Sequence, residues 1–480
     1  MRLAGLHGMA WGRKLLVLAA LTSIGSCRRT RFPSRGDTAA VVVVSPRNDA
    51  AVPPKVLEQE PNDSPEQAQL LAINPDWPVL SVEGTLSGTG EGAGRDVDVF
   101  KLLVPGRRQD SAALAPSPDS APSDDPRLAA RRLRLEIAPE GTRAMSLQLL
   151  DDGLKSLETI SVEANDTAGM PNMAVFPGRT YYFRLRAVAK PGKVPDTQPT
   201  SQTYKLTVEL GDFELSEERE PNDSVASAQP VVMAGAADFA GYLGWLHDQD
   251  YYRIPAPEIA SALDVDMDAL EGVSASLQVL DGSGAKIAGG RGRRGERLAL
   301  HNVTVPVAAV DAGTGSAFFY VVIRSEAGQN RTQRYVLHMT LGMIRQDSEI
   351  EPNDNPAKAT AVRDGMTTGF LQVGDVDYFR YLGEGQREVT FEVACPAHVK
   401  GKLEVVRQSD GQVLAAAEAK MAKQKVVIKV PSLGEPLLVR LSQGKGDGNS
   451  NDPYWQKISS AAMPDQKIGA TNSPSALNPD

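Results

Sequence analysis

Cysteine is nearly missing from this 480-residue chain: only Cys27 and Cys395 occur, too few for a disulfide framework. Aromatic residues are sparse at 5%, and there are five histidines. Basic residues are outnumbered 51 to 60, for a formal net charge of −9. Phosphate binding needs clustered Lys and Arg, so this balance argues against a nucleic-acid partner and suits a cation. Long apolar runs are also lacking. Leu15–Leu21 (LLVLAAL) and Val41–Val44 (VVVV) fall far short of the roughly 20 residues a membrane-spanning helix requires. The sequence has no Gly-x-Ser-x-Gly elbow, no His-Glu-x-x-His and no complete phosphate loop. Beyond the first residues the histidines are His247, His301, His338 and His398, scattered along the chain. A protein without catalysis of its own is expected.

What is present is turn-rich and globular. There are 33 prolines and 43 glycines, with 41% hydrophobic and 23% charged residues, and the length allows roughly three domains. The first 26 residues read as a secretory leader: Arg13 and Lys14 precede the short apolar core and small residues follow it. Ile24-Gly25-Ser26-Cys27 resembles the bacterial lipobox, which implies that Cys27 becomes the acylated first residue and anchors the chain to a membrane. Ordinary cleavage nearby would instead leave Cys27 a thiol. Met9 gives a leader of more usual length than Met1. Arg28 after the cysteine, by resemblance to lipoprotein sorting rules, favours an outer-membrane lipoprotein of the cell envelope.

Residues 27–56 carry Arg, Pro, Ser and Ala without periodicity and read as a tether. Beyond them, alternating apolar and polar residues recur in a fixed order. Arg132–Ile137 (RLRLEI), Met145–Gly153, Tyr181–Val188 and Tyr204–Leu210 form one series. The segments ALDVDMDAL, SASLQVLDGSG, FFYVVIRSE and RYVLHMTLG form a second, and EVTFEVAC, GKLEVVRQSDG, KVVIKV, PLLVRLS and PYWQKIS a third. Period-two strands between Asp-Gly and Gly-rich turns predict an all-β chain of three tandem antiparallel, jelly-roll-like β-sandwiches. The expected bounds are 57–212, 213–344 and 345–460, with an insertion at about 106–130 and a disordered tail at 461–480. Cys395 falls in register with Val389, Phe391 and Val393, which makes it a core residue.

Each series opens with the same box. Glu58 begins EQEPNDSPEQAQ, Glu218 begins EREPNDSVASAQ and Glu349 begins EIEPNDNPAKAT. Between 24 and 36 residues after the second glutamate comes a pair of aspartates at a strand start: Asp96 and Asp98, Asp248 and Asp250, Asp375 and Asp377. Pro61, Pro221 and Pro352 bias the preceding glutamate towards extended backbone. Residues two apart then face the same way, which aligns Glu58, Glu60 and Asn62, Glu218, Glu220 and Asn222, and Glu349, Glu351 and Asn353. Gathering carboxylates costs repulsion unless a cation neutralises them. An oxygen-only set with no nearby Cys or His group points to Ca²⁺ over Zn²⁺. The same letters also read as a helix start, capped by Ser64 or Asn355 with Pro65 or Pro356 at the first helical position.

The acidic Pro-Asn-Asp opening, the Asp-x-Asp strand, the internal Asp-Gly turn and a late Tyr-containing strand, three times in order, resemble the bacterial pre-peptidase C-terminal domain. Relatives of that family include the collagen-binding domains of clostridial collagenases. The resemblance covers nearly all of residues 58–460 and implies β-sandwiches that bind calcium through the acidic linker and the paired aspartates. Carried onto this chain, the ligands are Glu58, Glu60, Asn62, Asp63, Asp96 and Asp98 in unit one. Unit two supplies Glu218, Glu220, Asn222, Asp223, Asp248 and Asp250, and unit three supplies Glu349, Glu351, Asn353, Asp354, Asp375 and Asp377. Unit two departs by carrying His247 before its aspartates and unit one by a Gly-rich insertion before Asp96, which makes unit three the safest site. The resemblance also implies binding of an extracellular or envelope polymer or protein, with an envelope scaffold or an accessory subunit of a separate secreted protease as alternatives.

Other signals are weaker. Gly444–Asp452 (GKGDGNSND) begins like a calcium loop, but its sixth and twelfth EF-hand positions fail, and it reads as a solvent loop. Gly289–Arg297 (GGRGRRGER) reads as an exposed hairpin tip that would otherwise suit anionic polysaccharide or lipid headgroups. Tyr242, Trp245, Tyr251 and Tyr252 read as sandwich-edge packing, with a binding face as the alternative.

Overall fold

The computed structural model describes residues 53–74, 78–87, 96–106, 129–188, 201–308, 317–383, 385–421, 423–443, 448–449 and 451–462. The leader, Cys27, most of the tether and of the 106–130 insertion, and nearly all of the tail lie outside the described residues.

The described chain is β-structure throughout, in six sheets that pack as three sandwiches. The first contains β1 (Lys55–Leu57), β2 (Gln69–Leu70), β3 (Val79–Leu86), β4 (Val97–Leu103) and β5 (Arg131–Glu140). It continues with β6 (Ala144–Leu150), β7 (Ser156–Val162), β8 (Ala168–Val175), β9 (Thr180–Val188) and β10 (Gln202–Asp212). The second is built from β11 (Gln229–Pro230), β12 (Ala236–Leu243), β13 (Gln249–Pro255), β14 (Ala262–Met267) and β15 (Ser274–Leu280). Strands β16 (Lys286–Arg291), β17 (Leu298–Thr304), β18 (Phe318–Ala327) and β19 (Asn330–Gly342) complete it. The third holds β20 (Thr360–Val362), β21 (Gly365–Gly369), β22 (Val376–Tyr381), β23 (Gln386–Ala394) and β24 (Gly401–Arg407). It closes with β25 (Val413–Glu418), β26 (Lys425–Leu433), β27 (Leu437–Gln443) and β28 (Tyr454–Ala462).

The sheet orders repeat. One sheet of each sandwich runs β3-β10-β5-β8, β12-β19-β14-β17 or β21-β28-β23-β26, with β1 added beside β3. The other runs β2-β4-β9-β6-β7, β11-β13-β18-β15-β16 or β20-β22-β27-β24-β25. Pairing is antiparallel except for β1 on β3 and the two- or three-residue strands β2, β11 and β20, which pair in parallel. Alternation in the sequence becomes alternation in burial, as in β5, where Leu133, Leu135 and Ile137 face inward while Arg132, Arg134 and Glu136 are half-buried. Each sandwich closes over its own apolar cluster. Cys395 is buried in the third one, and burial pushes its thiol up to about 11.

The box segments join one sandwich to the next. Residue Glu220 forms a parallel bridge to Met173 of β8, and Glu351 forms one to Val303 of β17. Trp245, from the second sandwich, is buried against the first core. Strand β8 is consequently buried at every position.

Phe391 is fully buried, edge-on to Tyr381 at a centroid separation of 5.8 Å. Phe391→Ala should lower the stability of the third sandwich by about 3–5 kcal/mol, read as a lower chemical-denaturation midpoint. An unchanged midpoint would contradict this packing.

Candidate metal centres

In each unit the first glutamate of the box is held from two sides. One carboxylate oxygen accepts a backbone N–H from β3, from β12 or from the residue just after β21: Thr85 to Glu58 at 2.6 Å, Tyr242 to Glu218 at 2.7 Å, Phe370 to Glu349 at 2.6 Å. The residue before that donor is Gly84, Gly241 or Gly369, and a Cβ there would collide with both the glutamate and a tyrosine hydroxyl. Those tyrosines are Tyr204, Tyr335 and Tyr454, all buried. The first two donate to the second aspartate of the pair, Tyr204 to Asp98 at 2.5 Å and Tyr335 to Asp250 at 2.6 Å, whereas Tyr454 donates to Glu349 at 2.7 Å.

The asparagine of the box fastens the linker to the aspartate strand. Asn62, Asn222 and Asn353 accept, through their backbone carbonyls, from Val99, Tyr251 and Tyr378 at 2.9–3.1 Å. In the first two units the side-chain amide also donates to the first glutamate, at 3.2 Å to Glu58 and 3.1 Å to Glu218. The Glu–Pro bond is cis in all three boxes.

Carboxylates therefore converge. Oxygens within 4.8 Å of one another come from Glu58, Glu60 and Asp98, from Glu218, Glu220 and Asp250, from Glu220, Asp223 and Asp248, and from Glu349, Glu351 and Asp377. The remaining sequence candidates lie beside these groups. Asp63 accepts from Val97 N–H at 3.3 Å, and Asp96 accepts from Ser87 N–H at 2.5 Å. Asp375 accepts from Gln372 and Val376 N–H, and Asp354 is exposed. Unit two gathers the most acids. The preceding sandwich adds Asn172, whose amide donates to Glu218 at 2.7 Å, and Glu158, whose charge helps to raise Asp248.

The helix-start reading holds at the same time. Ser224 caps a 3₁₀ turn over Val225–Ser227, and Asn355 caps one over Pro356–Lys358 with Pro356 at its start. Ser64 is followed by a turn closed by Gln67 N–H to Ser64 O at 3.0 Å. The caps use residues just past the ligands, so the two roles do not compete.

Electrostatics follow from burial. Burial, then the Glu58 partner, pushes Asp98 up to about 9. Burial, then the charge of Asp375, pushes Glu349 up to about 8, and burial alone is the main reason Asp375 rises to about 7. Glu220, Asp248, Asp250, Glu351 and Asp377 rise far above the usual carboxylate range, desolvation first and neighbouring carboxylates second.

The donor set fits a hard cation. Oxygen atoms without a hydrogen-bond partner remain on buried Asn62 and Asp98 in unit one. Unit two leaves them on Asn172, Glu220, Asn222, Asp248 and Asp250, and unit three on Asn353 and Asp377. Buried oxygens without partners are costly, and Ca²⁺ takes 6–8 oxygens. In this reading Glu218, Glu220, Asn222 and Asp250 hold the ion in unit two, and the equivalent residues do so elsewhere.

The weaker sequence signals resolve as packing. Tyr242, Trp245, Tyr251 and Tyr252 are all buried, so they do not present a binding face. The Gly289–Arg297 segment holds the last three residues of β16 and the connection to β17, in which Arg293, Arg294 and Gly295 are exposed and Arg297 pairs with Asp266. Asn449 accepts from Asn451 and Asp452 N–H in a local turn. Sequence reasoning did not name the tyrosine, the glycine or Asn172. The first two had a signal, the thrice-repeated Gly-x-Leu at 84–86, 241–243 and 369–371 and the late tyrosine. Asn172 had none.

No family model and no curated relative matches the chain. Among solved structures, it is similar to the CUB1-EGF-CUB2 segment of human MASP-1/3 at 8% identity and a TM-score of 0.16, over 47% of this chain and 100% of that one. The PBSX exported protein XepA matches at 11% identity and 0.16, over 54% and 86%. A triple-jelly-roll turret protein of an archaeal virus matches at 9% and 0.17, over 78% and 88%.

Raised carboxyl pKa values mean that the folded chain binds more protons than the unfolded chain between the two values, so stability falls as pH rises through that window. With calcium chelated, the third sandwich should lose stability from about pH 4.5 to about pH 8, the interval set by Glu349. Thermal unfolding at stepped pH reads this out. Stability rising across the same interval would contradict the burial of these acids.

Proposed function

We propose that this chain is a non-catalytic, lipid-anchored protein of the bacterial cell envelope. Its three β-sandwiches are calcium-stabilised and bind an extracellular or envelope polymer or protein. The observation that carries the reading is the threefold convergence of buried carboxylates with buried oxygens left without partners. Neutralising them with a divalent cation stabilises the folded chain. The resemblance to pre-peptidase C-terminal domains, the lipobox at Cys27 and the acidic net charge point the same way. Three modules on one chain gain avidity where the ligand is repetitive.

A second reading has its own support. The box of units two and three is paired edge-on to the preceding sandwich, and salt bridges cross the first junction, Arg132 to Glu217 at 2.8 Å and Arg331 to Glu136 at 3.5 Å. Such junctions suit a spacer or scaffold that holds other envelope proteins at a distance.

Calcium that binds the folded form alone raises stability by mass action, by about 2.7 kcal/mol at one hundred times Kd. The melting temperature should rise with calcium and fall with chelator. An identical melting curve at millimolar calcium and in chelator would remove the metal from this account. Calcium-reversible retention on an insoluble polymer then favours the binding role, and retention of protein partners alone favours the scaffold.

A further inference from the structure

Boxes two and three each lie against an edge strand of the preceding sandwich, with the same pair of backbone hydrogen bonds. Glu220 N–H donates to Asn172 O at 3.1 Å, and Ala174 N–H donates to Glu220 O at 2.7 Å. One repeat later, Glu351 N–H donates to Asn302 O at 3.2 Å, and Thr304 N–H donates to Glu351 O at 2.7 Å. Both receiving strands carry a bulge next to the asparagine, β8 opposite Leu133–Leu135 and β17 opposite Leu263–Val265. Each asparagine side chain adds a bond to the linker, Asn172 to Glu218 at 2.7 Å and Asn302 to Glu349 O at 2.6 Å. The junction is thus a repeated recognition unit: a bulged edge strand with asparagine, then a residue whose N–H is available two positions later.

The first box has the same geometry and nothing in that place among the described residues. Glu60 is exposed, and its backbone N–H and C=O have no hydrogen bond among the described residues. Its counterpart Glu220 is fully buried. Leu57 is 62% exposed where its counterpart Glu217 is 0% exposed. The Glu58 carboxylate accepts from Thr85 and Asn62, and among the described residues it has no counterpart to the Asn172 amide that donates to Glu218.

The other end of the array does not fit this edge. In the third sandwich β26 stands where β8 and β17 stand, and register through the core pairs Leu133–Met173, Leu263–Val303 and Val389–Val430 makes Pro431 the equivalent of Ala174 and Thr304. Proline has no N–H to donate. Lys429 replaces the asparagine and β26 pairs with β23 without a bulge. Lysine and proline on an edge strand oppose strand addition, so a second copy of this chain cannot supply the missing strand through β26.

We propose that residues 57–61 form a docking edge for a strand of a different protein. That strand is an edge strand of a β-rich partner, runs parallel to the linker, and presents an asparagine with an available N–H two residues on. Backbone pairing at Glu60 supplies the affinity and the Glu58 carboxylate selects the amide, a form of β-strand addition. The edge shares Glu58 and Glu60 with the first carboxylate cluster, but its backbone pairing uses no ion.

The probe is a fluorescein-labelled octapeptide of the sequence Leu298–Val305, titrated with the full chain by anisotropy. The unmodified peptide should bind. The peptide carrying Thr304→Pro should bind about tenfold more weakly, the equivalent of one hydrogen bond. Leu57→Asp in the chain, an exposed position that leaves the core intact, should weaken binding of the unmodified peptide similarly. No binding, equal binding of the two peptides, or binding indifferent to Leu57→Asp would each overturn the proposal. Self-association of the chain that the peptide reverses would also overturn it, by assigning the edge to a second copy.

Discussion

Three carboxylates with oxygens inside 4.8 Å, all three buried as Glu218, Glu220 and Asp250 are, cannot all remain ionised without a counter-charge. Coulomb repulsion at such distances reaches several kcal/mol at the effective dielectric of a protein. The charge must be removed by protons or balanced by a cation. Everything around the clusters bears on that choice. A glycine leaves room for the glutamate, a tyrosine hydroxyl meets one carboxylate, and a backbone N–H holds another oxygen in place. These groups satisfy some of the oxygens and leave the rest directed at one another.

The same constraint explains how the sandwiches are joined. The linker that carries two of the acids also carries the backbone that pairs with the preceding edge strand. A change at the cluster therefore acts on the junction through a few bonds, and the preceding sandwich closes the site it borders. Unit two, with Asn172 and Glu158 behind it, is the most buried of the three. Unit one, with no described sandwich before it, leaves Glu60 exposed.

Much of this was legible in the sequence because period-two alternation survives wherever one strand face meets the core and the other meets water. Strands β5, β14 and β23 are plain for that reason. Strand β8 was not, since Pro171 and Asn172 interrupt it and the second sandwich buries its outer face. The acidic boxes were legible as repeated letters, and their partners Asp98, Asp250 and Asp377 by position in the unit. The concentration of acids in unit two was not, because His247 and the spacing there say nothing of the neighbouring sandwich that borders it. The tyrosine and glycine recur in the sequence, but their joint role depends on cross-strand register, Tyr204 opposite Gly84 and Tyr335 opposite Gly241, which one chain of letters does not display.

Whether a cation or protons balance the clusters is decided most directly by crystals grown in calcium, with diffraction collected where calcium scatters anomalously. The account predicts anomalous peaks among Glu218, Glu220, Asn222 and Asp250 and among Glu349, Glu351, Asn353 and Asp377. Carboxyl groups hydrogen-bonded to one another in calcium-soaked crystals, with no peak between them, would contradict it.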